Sequence, residues 1–241
     1  MPLPKIATPY YDLELPSNGD KVEYRPFLVK EEKLLVLAME SQDQKQITKA
    51  IKEVIKSCIR GGGDIKVESL PTFDIEYLFL NIRGKSVGEE IELKIIAPDD
   101  GVTEIPVTIN IDDIKVVRDD THNRDVDLGG GLALRLKYPS LEEFISDNFD
   151  FSGDASNVEK TFDLIGSCIE TIYNEEEAWP AADCTKKEIK EFVEQMNTKQ
   201  FQDIEKFFST MPKLSHTVKV KNPKTKKSSE VLLEGLSSFF A

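Results

Sequence analysis

Residues 90–111 read EIELKIIAPDDGVTEIPVTINI, and this stretch decides the fold class. Ile91, Leu93 and Ile95 alternate with polar neighbours, Pro98–Asp99–Asp100–Gly101 supplies turn chemistry, and Ile105, Val107, Ile109 and Ile111 alternate again. A period of two on both sides of a turn predicts an antiparallel strand pair with one face in a core. Working outward, Tyr10–Leu15 and Lys21–Phe27 read as a hairpin across Pro16–Ser17–Asn18–Gly19–Asp20, because Asn-Gly favours the positive φ of a tight turn. Between the two strand regions the period changes to helical. Glu31–Glu40 is a compact apolar block, and Ile47, Ala50, Ile51, Val54, Ile55, Cys58 and Ile59 recur at helix spacing until Gly61–Gly62–Gly63. A third helix is expected over Pro71–Ile82. Leu132, Leu134 and Leu136 alternate once more, and are expected to return to the 91–111 sheet.

Beyond Tyr138 the period changes to helical, and the middle third is read as all helix. Ser140 with Glu143 and Thr185 with Glu188 form capping boxes. Val158, Phe162, Ile165, Ile169 and Ile172 make one helix face, Ile189, Phe192, Val193 and Met196 a second, and Phe201, Ile204, Phe207 and Phe208 a third before Met211–Pro212. His216–Leu233 reads as a strand, a polar turn and a strand. The expected fold is therefore α+β: an α+β domain over 1–138, a helical segment over 139–212, and a C-terminal β-hairpin with an aromatic tail over 213–241.

The composition narrows the function classes. With a formal net charge of -13 over 241 residues, the chain repels phosphate backbones, and nucleic acid is not an expected partner. The basic run Lys219–Lys227 reads as a solvated hairpin tip. Three scattered cysteines, Cys58, Cys168 and Cys184, make neither a disulfide framework nor a zinc cluster, and suit a reducing compartment. No stretch reaches the ~18 uninterrupted apolar residues of a membrane span, and the N-terminus lacks an apolar signal core.

Candidate chemistry is sparse. Arg83–Gly84–Lys85–Ser86 ends like a phosphate-binding loop, but Phe79 stands where the earlier glycine is required and the segment before it reads as helix. Gly61–Gly63 and Gly129–Gly131 read as structural punctuation. The loop Asp119–Asp127 is dense in oxygen ligands and is the basis of an alternative reading as a metal-dependent enzyme, although its spacing fits no EF-hand. Two histidines, His122 and His216, leave little material for a nucleophilic triad. No catalytic residue, cofactor or metal ligand is assigned. Trp179–Pro180 falls in an expected helix connection. Leu236, Phe239 and Phe240 form an aromatic terminus that either folds into the core or is offered to a partner. Arg25, Lys30, Glu31 and Glu32 set alternating charge at the hairpin-to-helix junction, where a partner could be oriented or where they simply start a helix in water.

Three segments carry a family resemblance: Pro4–Lys5–Ile6–Ala7–Thr8–Pro9, Tyr24–Arg25–Pro26–Phe27–Leu28–Val29–Lys30–Glu31–Glu32–Lys33–Leu34–Leu35, and Leu233–Glu234–Gly235–Leu236 with Phe239–Phe240. Together they resemble the baseplate hub proteins of T-even-like tailed phages, from end to end of the chain. The resemblance implies a non-enzymatic hub subunit or a hub-assembly factor, acting through contacts with other baseplate and tail hub proteins. It would be found in the virion tail baseplate or in the cytoplasm of the infected host. The partner-binding residues expected on this reading are Arg25, Lys30, Glu31, Glu32, Trp179, Leu236, Phe239 and Phe240.

Overall fold

A computed structural model describes residues 6–60, 65–140, 143 and 158–239. The chain forms two compact units, one from residues 1–117 with 213–241 and the other from 118–212. The first unit begins with the expected hairpin: β1 (Tyr11–Glu14) pairs antiparallel with β2 (Lys21–Tyr24), and Gly19 takes φ +77° in the turn. Helix α1 (Val29–Glu40) follows, then α2 (Gln44–Cys58), capped by Asp43, whose carboxylate accepts the Lys45 N–H at 2.9 Å. The chain then pairs with β2 through β3 (Ile59–Arg60), so that Tyr24 faces Ile59. Gly61–Gly63 lie outside the described residues.

Helix α3 (Thr72–Val87) runs five residues past its expected end at Ile82, and Arg83–Ser86 are helical. Gly84 is there for packing, since a Cβ at this position would lie 3.0 Å from the Ile111 side chain. Strands β4 (Glu90–Ile96) and β5 (Glu104–Asn110) form the predicted pair, with Ile91 opposite Ile109, Leu93 opposite Val107 and Ile95 opposite Ile105. The short β6 (Lys115–Val117) ends this part of the unit.

In the second unit, β7 (Asp125–Gly129) and β8 (Leu132–Leu136) form a hairpin whose Gly129, Gly130 and Gly131 all take positive φ. Leu132–Leu136 therefore does not rejoin the 91–111 pair. Its second edge pairs with β9 (Ile169–Tyr173), which follows α4 (Val158–Cys168) without a loop, and β9 pairs in turn with β10 (Ala178–Pro180). This corrects the all-helical reading of the middle third. Ile169 and Ile172 keep helical spacing, but Ile169–Glu170–Thr171–Ile172–Tyr173 is rich in β-branched and aromatic side chains and has an open strand edge to pair with. Trp179 and Pro180 accordingly lie on an edge strand, not in a helix connection. Helices α5 (Lys186–Glu194) and α6 (Thr198–Thr210) start at the Thr185–Glu188 and Asn197–Gln200 capping boxes. The Ser140–Glu143 box is also present. Leu134, Leu136, Leu164, Ile165, Cys168, Ile204 and Phe207 are buried together in this unit's own core.

The chain then returns to the first unit as β11 (Lys213–Lys221) and β12 (Ser228–Glu234). The terminal hairpin does not stand apart, because β11 also pairs with β6, Lys213 opposite Val117 and Ser215 opposite Lys115. Its lysine-rich tip is a turn organised by the buried Asn222. The Asn222 amide donates to Asp99 and Asp100 at 2.9 Å each, and its carbonyl accepts from the Lys224 N–H at 2.8 Å. Leu80, Ile91, Ile109, Ile114, Leu214 and Phe239 share the core of this sheet-rich part.

Candidate partner-binding surface

Helix α1 contains six consecutive apolar residues, Leu34 to Met39. At 100° per residue such a run covers more than one face, so part of it must point away from the core. Only Ala38 of the six is buried. Val29 (80% exposed), Val36 (49%) and Met39 (55%) fall along one outward stripe with Glu32 and Lys33 between them, and Leu37 (54%) lies at its edge. On the α2 side, Leu34, Leu37 and Ala38 face Gln46, Lys49 and Ala50 across a shallow groove of about 380 Å3. Large apolar side chains exposed together on one short helix have the chemistry of a protein-contact surface.

The charged residues at the start of α1 are built into the fold to different degrees. Arg25 Nη2 donates to Glu31 Oε1 at 3.1 Å, with 12% of the Arg25 side chain and 6% of the Glu31 side chain exposed. The same guanidinium donates to the Ser57 and Pro26 carbonyls at 2.9 Å, and Glu31 Oε2 accepts the Leu28 N–H at 2.8 Å. Burial alone would raise the Glu31 pKa. The hydrogen bonds from Arg25, the Leu28 backbone and Lys30 outweigh it and hold the carboxyl at about 2. Arg25 and Glu31 thus lock β2, α1 and the end of α2 together, whereas Lys30 and Glu32 are exposed beside the apolar stripe.

The aromatic terminus folds back. The Gly235 N–H donates to the Leu214 carbonyl at 2.8 Å, the Leu236 N–H donates to Glu76 Oε1 at 3.0 Å, and Phe239 is fully buried while Leu236 packs beside it. Burial pushes the Glu76 carboxyl up to about 7 against the single Leu236 N–H that stabilises its charge. Phe240 lies outside the described residues. Trp179 belongs to the second unit, on its edge strand β10, and is 39% exposed.

The acidic loop is organised by local turns. Asp119 Oδ1 accepts from the Thr121 N–H at 2.8 Å and from its hydroxyl at 2.7 Å; Asp127 Oδ1 accepts the Gly129 N–H at 2.8 Å; Asp125 Oδ1 accepts from the Tyr173 hydroxyl at 3.1 Å. Among the described residues, no group of three or more His, Cys, Asp or Glu side chains is placed to hold a metal ion. His122 is held at both ring nitrogens, Nδ1 by the Thr210 hydroxyl at 2.9 Å and Nε2 by the Tyr138 hydroxyl at 3.0 Å, with Phe207 against its ring. Burial lowers its pKa, with Arg124 and Arg118 adding to the effect and Asp119 opposing it. Cys58 and Cys168 are buried, and burial raises the Cys168 thiol to about 12, far from a reactive thiolate. No described helix is long and apolar enough to cross a membrane.

These features define an α+β protein with large apolar side chains exposed on α1. Residues 8–241 match the family model described as T4 bacteriophage base plate protein, and the chain belongs to that family. No curated protein and no solved structure matches it.

Sequence reasoning places the charged junction next to this surface but misses its apolar stripe, because Glu31–Glu40 reads only as a compact apolar block in a helix, with no outward face assigned to it. The signal is in the sequence: six consecutive apolar residues in a helix wrap round more than one face, so they are not all covered by one neighbouring helix.

Proposed function

We propose that the chain is a component of the phage baseplate hub, or a factor that assembles the hub, and that it acts by protein contact without catalysis. The observation that carries this reading is the exposed stripe Val29–Val36–Met39 on a chain whose family match spans residues 8–241. Lys30 and Glu32, exposed beside the stripe, orient the partner, and Trp179 offers a separate contact on the second unit. The partners are other baseplate and tail hub proteins; the place of action is the tail baseplate or the cytoplasm of the infected host.

Mass spectrometry of purified, tail-complete particles, beside a pull-down of tagged chain from infected cells, tests the reading. Fixed stoichiometry in the particle identifies a hub subunit. Absence from the particle, with hub proteins in the pull-down, identifies an assembly factor. Absence from both contradicts the proposal.

A further inference from the structure

The second unit carries a cleft of about 530 Å3 that the contact surface on α1 does not involve. Phe162 of α4, Ile169 of β9 and Ile189 of α5 line its apolar floor. The floor is tightly built: a Cβ on Gly166 would lie 3.2 Å from Ile189 Cγ2, so this glycine lets α4 and α5 approach closely. Three lysines stand around the floor, Lys137 just beyond β8 and Lys186 and Lys190 one turn apart on α5. None of the three has an ion-pair partner among the described residues, whereas the neighbouring Lys187 is paired with Glu191. Of the two carboxylates in the lining, Glu170 is neutralised by Arg124 at 2.7 Å, which leaves Asp163 against three ammonium groups.

On a chain of net charge -13, this is a local excess of positive charge around an apolar seat. We propose that the cleft receives a segment of another baseplate protein, one that presents an apolar side chain flanked by Asp or Glu; the proposal rests on the baseplate reading above. The charge pattern selects the flanks: a lysine-flanked segment would meet three like charges, and an uncharged one would leave them unused. The geometry selects a protein segment over a small ligand. The polar groups are long ammonium side chains at the rim, suited to pairing with carboxylates on a chain that lies across it, rather than fixed donors converging within. Cys184, in the cleft wall and partly exposed, is a built-in reporter, because Cys58 and Cys168 are both buried.

The test is zero-length carbodiimide cross-linking of baseplate assemblies that contain the full chain, read by mass spectrometry, together with the alkylation rate of Cys184. The expected result is an amide joining Lys137, Lys186 or Lys190 to an Asp or Glu of one other tail protein, beside an apolar residue. Cys184 should alkylate at least tenfold more slowly in the assembly than in the free chain. The double variant Lys186→Glu, Lys190→Glu should keep the wild-type melting temperature, lose at least tenfold in incorporation, and lose the protection of Cys184. Cross-links from these lysines only to a second copy of this chain, or an incorporated variant with Cys184 still protected, would overturn the cleft proposal and leave the baseplate reading standing. Wild-type chain absent from every tail assembly would overturn both.

Discussion

Glu31 is buried and Glu76 half-buried, and their surroundings shift the two carboxyls in opposite directions. Glu31 is held at about 2, below the ordinary carboxylate value of 4.5, so its contribution to stability is complete above pH 4.5 and is lost as the pH falls through about 2. Arg25→Ala leaves that carboxylate buried without its main partner and should cost about 3 kcal/mol at pH 7 in chemical denaturation; a loss below about 1 kcal/mol would show that the pair does not lock the junction. Glu76 is raised to about 7, so its stabilising protonated form is complete below pH 4.5 and is lost as the pH rises through about 7. Glu76→Gln keeps an acceptor for the Leu236 N–H and removes the charge. It should stabilise the chain by about 1–2 kcal/mol at pH 8 and flatten the decline in stability between pH 5 and 7, as melting temperatures across that range would show. Glutamates so different were not legible in the sequence. In the sequence Glu31 reads as a surface charge and nothing marks Glu76, because the Arg25 contact and the returning tail are tertiary.

At the scale of elements, local pattern served well wherever one segment determines its own period. The 91–111 pair, the Asn18–Gly19 hairpin and helices α2, α5 and α6 follow their expected apolar spacing. It failed where a neighbour decides. Ile169–Tyr173 has helical spacing but becomes a strand because β8 offers an edge, and Leu132–Leu136 joins that sheet because three positive-φ glycines turn it back on β7. The tail is a similar case: Leu236 and Phe239 fitted either core or partner, and the docking of Gly235 and Leu236 on Leu214 and Glu76 draws Phe239 inward. Phe239→Ala should therefore cost about 3 kcal/mol or more of stability, measured by thermal or urea unfolding. Unchanged stability with lost binding would mean that the aromatic works on a partner instead.

Across the whole molecule, the second unit is inserted between two paired strands. Val117 and Lys213 are directly opposite one another in the β6–β11 ladder, so the ends of the insertion are neighbours in the first unit, and each unit has a core of its own. Replacing residues 118–212 by an Asn-Gly turn should leave a first unit that unfolds cooperatively and retains its far-ultraviolet strand signal; a molten or insoluble product would show that the units depend on each other. The apolar stripe on α1 lies wholly within the first unit, and on the proposed function it is this stripe that joins the chain to the baseplate. Val29→Glu with Val36→Glu changes only exposed positions and should alter stability by no more than about 0.5 kcal/mol. The most direct measurement is co-sedimentation of this double variant and the wild-type chain with baseplate assemblies from infected cells. Wild type should sediment with them and the variant, equally folded, should stay at the top of the gradient; a variant that sediments like wild type would show that the stripe is not the contact.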